Sequence, residues 1–200
     1  MRSKPSRAVL LGLCACLLYG GCTVPNGNSP ETGPATEETD IPLCRDNFVL
    51  MDTGGQYLYG TTDVTRTVAL GELTYEQKLN YTAVLRGHLA LGAAKFKAGT
   101  TGVNLDHLAR APLHRLGLDY NHGTGHGVGY LLSVHEPPNA IRYRILPDNQ
   151  FNPVFKEGMI TSNEPGVYLD NEFGIRIENL ILCKEKEKTD FGEFLCFENL

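Results

Sequence analysis

Apolar and polar positions change period several times along the chain, and each change marks an element. Phe48-Val49-Leu50-Met51 is an unbroken apolar run ending at Asp52, the pattern of a strand buried on both faces. Gly54-Gly55 is the expected turn after it. From Asp63 to Leu70 the chain alternates, with Asp63, Thr65, Thr67 and Ala69 on one face and Val64, Arg66, Val68 and Leu70 on the other. Thr74 followed by Gln77 predicts a capping box and a long helix. Its buried stripe is Tyr81, Val84, Leu85, His88, Leu89 and Gly92, and its end is expected near Phe96, before Gly99. A second helix is predicted from Asn104 as N-cap, with Leu105, Leu108 and Ala109 inward, a bend at Pro112 and a stop at Gly117. Residues 159–163 read as a strand, and residues 175–182 as the clearest strand of all.

The first forty residues follow none of these periods. Arg2, Lys4 and Arg7 precede an apolar run over residues 8–19, which meets Gly20-Gly21-Cys22 in the manner of an export signal with a lipoprotein-type cysteine. The run is shorter than the roughly 20 residues that span a bilayer. Residues 23–40, rich in Gly, Pro, Ser, Thr and Glu, read as linker. The chain thus divides into a signal-like or aberrant segment with linker, 1–40, and one mixed α/β unit, 41–200.

A length of 200 residues suffices for one domain with a core. The formal charge of −5 has no basic stripe set against it, which argues against a nucleic-acid partner. Cys14, Cys16 and Cys22 crowd the N-terminus while Cys44, Cys183 and Cys196 are scattered, so no disulfide framework is read.

Candidate chemistry lies in five metal-type ligands: Asp52, Asp63, His126, Glu164 and Glu178. Singly, each has a bland explanation as a turn cap or a satisfied core residue. Their surroundings change that. Asp52 ends an apolar run, Glu164 follows a strand-like segment, and Glu178 lies within Ile175-Arg176-Ile177-Glu178-Asn179. Charges in apolar strands are costly unless paired or bound to metal. Four carboxylates and one imidazole also balance two divalent cations, and hard oxygen ligands favour Mn²⁺, with Zn²⁺ or Co²⁺ as alternatives. Around His126 runs His122-Gly123-Thr124-Gly125-His126-Gly127-Val128-Gly129, followed by Val134-His135-Glu136. Neither a zinc-protease H-E-x-x-H nor a G-x-S-x-G elbow is present. His88, His107 and His114 fall on predicted helices and receive no role.

These motifs, with Asp52-Thr53-Gly54-Gly55-Gln56-Tyr57, Gly60-Thr61-Thr62-Asp63 and Asn163-Glu164-Pro165-Gly166, resemble aminopeptidase P, the Xaa-Pro aminopeptidase branch of the pita-bread metallopeptidases. The resemblance runs from about Ala35 to Leu200. It implies an α/β (α+β) pita-bread fold, a curved mixed or antiparallel sheet with covering helices, here incomplete at both ends. It further implies release of an N-terminal residue that precedes proline, through attack by a hydroxide held between two divalent ions. Asp52 would bind one ion, Asp63 and Glu178 would bridge, and His126 and Glu164 would complete the other shell. Glu164 would also move the proton, His122 and His135 would hold substrate and the tetrahedral intermediate, and Arg176 would orient Glu178 from the same strand face. The implied partners are peptides with proline second; a homodimer is implied for the full-length family. The rivals are a prolidase-type dipeptidase and an inactive, peptide-binding or lipid-anchored form of the scaffold.

The family strand that precedes these motifs reads roughly Tyr-Gly-Pro-Asn-Gly-Ala-Ile-Val-His and carries a further histidine, absent here. Asn26-Gly27 match it; Thr23-Val24-Pro25 re-read one base earlier can encode Tyr-Gly-Pro, and Asn28-Ser29-Pro30 re-read one base later can encode Ile-Val and a codon that begins as histidine's does. Residues 1–34 are therefore expected to reflect a reading-frame error or a truncated gene, which places the protein in the cytoplasm. The alternative is an exported lipoprotein acylated at Cys22.

Overall fold

Ten residues on each side of a tight tip build the hairpin that carries the two aspartates. The computed structural model describes residues 15–20, 43, 45–131, 134–145 and 153–200. Cys22 and the linker, 23–40, lie outside them. Strands β2 (Phe48–Tyr57) and β3 (Gly60–Ala69) pair antiparallel without a break from Phe48↔Ala69 to Tyr57↔Gly60. Gly54 and Gly55 therefore lie inside β2, and the turn falls at Leu58-Tyr59. A Gly-Gly pair suits a turn or a close strand contact equally, and here it is the contact: a Cβ on Gly54 would sit 3.1 Å from the Thr62 carbonyl oxygen. Along β3 the predicted alternation holds, but the inward face is the polar one. Thr65 and Thr67 are buried, while Val68 is 43% exposed.

β1 (Ala15–Gly20) pairs antiparallel with the other edge of β2. It comes from the signal-like apolar run, whereas the frame-error reading places the neighbouring strand in residues 23–30, outside the described residues.

Helix α1 (Tyr75–Gly92) starts at the predicted capping box, Thr74 with Gln77. It stops at Ala93, earlier than expected, because Phe96 belongs to β4 (Lys95–Lys97), which pairs with β11 (Gly192–Asn199). Its buried line is Asn80, Ala83, Val84, Gly87, His88 and Leu91. Leu89, predicted inward, is 58% exposed, because the stripe lies one position off the apolar count. Helix α2 (Gly102–His114) has Thr101 as N-cap, with Asn104 the third residue of a capping box instead of the cap itself. Leu105 and Ala109 are buried and Leu108 is not. The helices touch closely at Gly87, where a Cβ would come within 2.1 Å of the Ala109 carbonyl oxygen.

The remaining strands are β5 (Gly125–Val128), β6 (His135–Ile141), β7 (Ile160–Asn163), β8 (Gly166–Leu169), β9 (Phe173–Arg176) and β10 (Asn179–Thr189). One antiparallel sheet has the order β4-β11-β10-β7-β5-β6, and β8-β9 form a separate hairpin. The single strand predicted over residues 175–182 is thus two strands, broken at Ile177-Glu178. There the backbone leaves the ladder: the Ile177 N–H donates to Pro165 O (3.3 Å) and the Glu178 N–H to Thr65 O (3.2 Å). Two apolar clusters flank the helix pair. Val84 and Leu113 join Phe48, Val167, Phe173 and Ile175 in one; Leu91, Leu105 and Ala109 join Phe96, Ile141, Ile181 and Phe197 in the other. The break at Glu178 lies where the hairpin meets the large sheet.

Candidate metal centre

The register of the β2–β3 hairpin pairs Asp52 with Thr65 and Gly54 with Asp63. Directly paired residues, and those two apart on one strand, share a face. Asp52, Thr65 and Asp63 therefore point to the same side, toward the break that holds Glu178. From the large sheet come His126 on β5 and Glu164 just after β7. Glu164 is fixed by its N–H, which donates to Thr124 O (2.8 Å). Gly125 permits this approach of β5 to β7, since a Cβ there would lie 1.9 Å from the Ser162 carbonyl oxygen.

All five predicted ligands come together. Their donor atoms fall into two groups, each within 4.8 Å: His126, Glu164 and Glu178; and Asp52, Asp63 and Glu178. A third such group joins Asp63, His126 and His135. Nε2 of His126 lies 3.3 Å from Asp63 Oδ2 and 3.2 Å from Glu164 Oε1. Its Nδ1–H donates to the Gly127 carbonyl (2.9 Å), which leaves Nε2 to face the carboxylates, as metal-binding imidazoles do.

The electrostatics are those of a crowded anionic site. Burial, reinforced by the charges of Glu164 and Asp63, pushes the Glu178 carboxyl up to about 8. Burial works against a charged His126, yet hydrogen bonds to Asp63 and Glu164 hold its pKa up at about 10. Burial also opposes ionisation of Glu164, but His126 and the Ser162 hydroxyl (2.9 Å) hold its pKa below the usual carboxylate value. Glu178 is 1% exposed; Oε2 accepts from the Thr65 hydroxyl (2.6 Å), and Oε1 has no hydrogen-bond partner. A buried carboxyl group with one oxygen unpartnered, grouped with three other carboxylates and an imidazole, fits divalent cations.

Arg176 does not touch Glu178. Arg176 ends β9 while Glu178 lies in the break, and the guanidinium instead binds Asp52 Oδ2 (2.6 Å), the Thr65 hydroxyl (3.1 Å) and the Tyr168 hydroxyl (2.9 Å). Its link to Glu178 runs through Thr65. His122 is half-buried, and burial lowers its pKa. Its Nδ1–H donates to Gly123 O (2.8 Å), so the neutral ring accepts from the Tyr168 hydroxyl at Nε2 (2.9 Å). His135 is exposed, its ring edge-on to His126 with centroids 4.1 Å apart. Thr65, Ser162 and Tyr168 are site residues that the pattern reading missed. Only Thr65 carried a signal, its place on the Asp63 face of β3.

The model of metallopeptidase family M24 matches residues 19–185. The chain is similar to a probable Xaa-Pro aminopeptidase P of Laccaria bicolor, 49% identical over 181 residues that make up 89% of this chain and 28% of that protein. In structure it is similar to an X-prolyl aminopeptidase from Caenorhabditis elegans, described as a cytosolic enzyme with a di-nuclear active site (TM-score 0.77, 36% identity, 93% of this chain, 29% of that one). It is also similar to a prolidase from Pyrococcus furiosus (TM-score 0.60, 34% identity, 70% and 39%). The chain spans little more than a quarter of the length of the curated relatives it matches, 28% of the first.

Proposed function

From the chain's membership of metallopeptidase family M24, whose pita-bread fold it has, we propose that it is the core of an Xaa-Pro aminopeptidase, removing the N-terminal residue from peptides with proline second. The observation that carries the reading is the meeting of Asp52, Asp63, His126 and Glu164 about Glu178, a buried carboxyl group with one oxygen unpartnered. The names of the relatives supply the substrate class. In this reading residues 41–200 form the catalytic portion, to which Ala15–Gly20, from the signal-like segment and linker 1–40, adds an edge strand.

Asp52, Asp63, His126, Glu164 and Glu178 would hold two divalent cations, Mn²⁺ before Zn²⁺ or Co²⁺. When bound, such a pair supplies Lewis acidity and a water of lowered pKa. Three things are left to the chain's own groups. Glu164, with Oε1 engaged by Ser162 and His126, has Oε2, 3.9 Å from Arg176 Nε, to take a proton and return it to the leaving proline nitrogen. Arg176 fixes Asp52 and, through Thr65, the orientation of Glu178. His135, exposed beside His126, faces the bound peptide and donates to its carbonyl oxygen as charge develops there, while the neutral His122, with its two ring nitrogens on Gly123 and Tyr168, holds the Tyr168 hydroxyl beside the substrate. Proline has no N–H, so recognition rests on the carbonyl and the ring, which suits a site whose groups are carboxylates, imidazoles and a tyrosine hydroxyl. A cytoplasmic location follows the nematode relative.

The test is release of the first residue from an Xaa-Pro tripeptide, an Xaa-Ala tripeptide and an Xaa-Pro dipeptide, with purified protein and Mn²⁺. Cleavage of the Xaa-Pro tripeptide alone is expected. Cleavage confined to the dipeptide would make the chain a prolidase, and tight peptide binding without turnover would make it a binding module.

A further inference from the structure

We infer that Arg110 of α2, outside the metal centre, is the positioning residue for His122, acting through the backbone of residues 119–122. The inference rests on the peptidase reading of the site. Asp106 and Arg110 are four residues apart, so one helical turn stacks them on one face. Their side chains are 1% and 3% exposed, with Arg110 Nε 2.7 Å from Asp106 Oδ2. A buried ion pair adds little to stability, because desolvation offsets the attraction. What this pair does is hold a loop. Nη1 of Arg110 donates to Asp119 Oδ1 (2.7 Å) and to the Tyr120 carbonyl (2.6 Å), and Nη2 donates to the His122 carbonyl (2.8 Å). The guanidinium also lies over the Tyr120 ring, 3.8 Å from its centroid.

Asp106 grips the other end. Its Oδ1 accepts from the Thr124 hydroxyl (2.6 Å), which also meets the Tyr120 hydroxyl (2.6 Å). Residues 119 to 124 are thus fixed at both ends by one turn of α2, with His122 between. From His122 the hydrogen bonds run on through Tyr168 and Arg176 to Asp52. The planar fork is needed, since a lysine ammonium cannot reach acceptors spread over an aspartate and two loop carbonyls while keeping Asp106.

Arg110→Lys tests this, because it leaves a positive charge beside Asp106. Asp119→Asn, at a half-exposed side chain, is the milder second variant should the first not fold. The readouts are the ring nitrogen signals of His122 and His126 in Zn²⁺-loaded, ¹⁵N-histidine-labelled protein, and kcat and KM for the Xaa-Pro tripeptide. Both are read with His122 intact, and turnover again in a His122→Ala background. The His122 signals are expected to move while those of His126 stay. With His122 intact, kcat is expected to fall about 10- to 100-fold, with KM within about threefold; with His122→Ala no further loss is expected. Unmoved His122 signals in a folded variant, or equal fold-losses in the two backgrounds, would overturn the inference. If the unaltered chain does not cleave the tripeptide, the function proposed above fails, and the histidine signals still decide the role of Arg110.

Discussion

Loading the metal centre is expected to expel protons, and the number follows from two groups. Free of cations, Glu178 titrates at about 8 and His126 at about 10. At pH 7 the first is protonated about nine times in ten and the second almost always. A cation needs the carboxylate and the neutral imidazole, so filling the centre at pH 7 releases about two protons per chain. At pH 9 Glu178 is already about nine-tenths ionised while His126 remains about nine-tenths protonated, and the release falls to about one. Below pH 8 the overall affinity for the pair of ions therefore rises by up to about 100-fold per pH unit. The sign is fixed: both pKa values are raised, both groups hold extra protons in the folded chain, and cations compete with those protons. Isothermal titration with Mn²⁺ under nitrogen, in buffers of different ionisation enthalpy at pH 7 and pH 9, counts the protons directly. No release at pH 7, or the same count at both pH values, would refute the reasoning.

Two substitutions probe the supports of the centre. Thr65→Val keeps the shape but strips the hydroxyl that donates to Glu178 Oε2 and accepts from Arg176 Nε; it is expected to cost about 1–3 kcal/mol in urea unfolding of the metal-free chain, and a change under about 0.5 kcal/mol would show that other groups hold Glu178. Gly125→Ala drives a Cβ to 1.9 Å from a backbone oxygen, so β5 and β7 must part at a cost of about 1–3 kcal/mol or more; an unchanged thermal midpoint would mean that the sheet yields there freely.

What the sequence reveals of this site, and what it hides, divides on physical lines. Ligands announce themselves because a carboxylate inside an apolar run violates the rule for its surroundings, as Asp52 and Glu178 do. The capping box at Thr74 is equally legible, being a purely local contact. Leu89 and Leu108 mislead, because an apolar residue on a helix obeys no rule that forbids exposure. The strand over residues 175–182 misleads for another reason. Its pattern is continuous, but at Glu178 the backbone leaves its ladder for a bond to Thr65, more than a hundred residues away. Tyr168 and Ser162 carry no signal, since a hydroxyl is at home on any strand and only the fold brings these two to Arg176 and Glu164.

That departure at Glu178 is also what lets one centre be built from two sheets. A strand continuous from β9 into β10 would keep Glu178 in register with its neighbours, its side chain on one face or the other of the sheet. Freed from the ladder and bonded to β3, the same residue belongs to both halves: its main chain is tied to the aspartate hairpin, and its carboxylate shares ligand groups with Asp52 and Asp63 on one side and His126 and Glu164 on the other. The arrangement gathers carboxylates that would repel one another, so the chain needs cations or something that stands in for them. In the metal-free form protons on Glu178 and His126 take that place, with the Arg176 guanidinium on Asp52. The fixed hydrogen bonds of Thr65, Ser162 and Gly127 then keep the side chains in place while protons and cations exchange, which makes the centre preorganised for cations before any arrives.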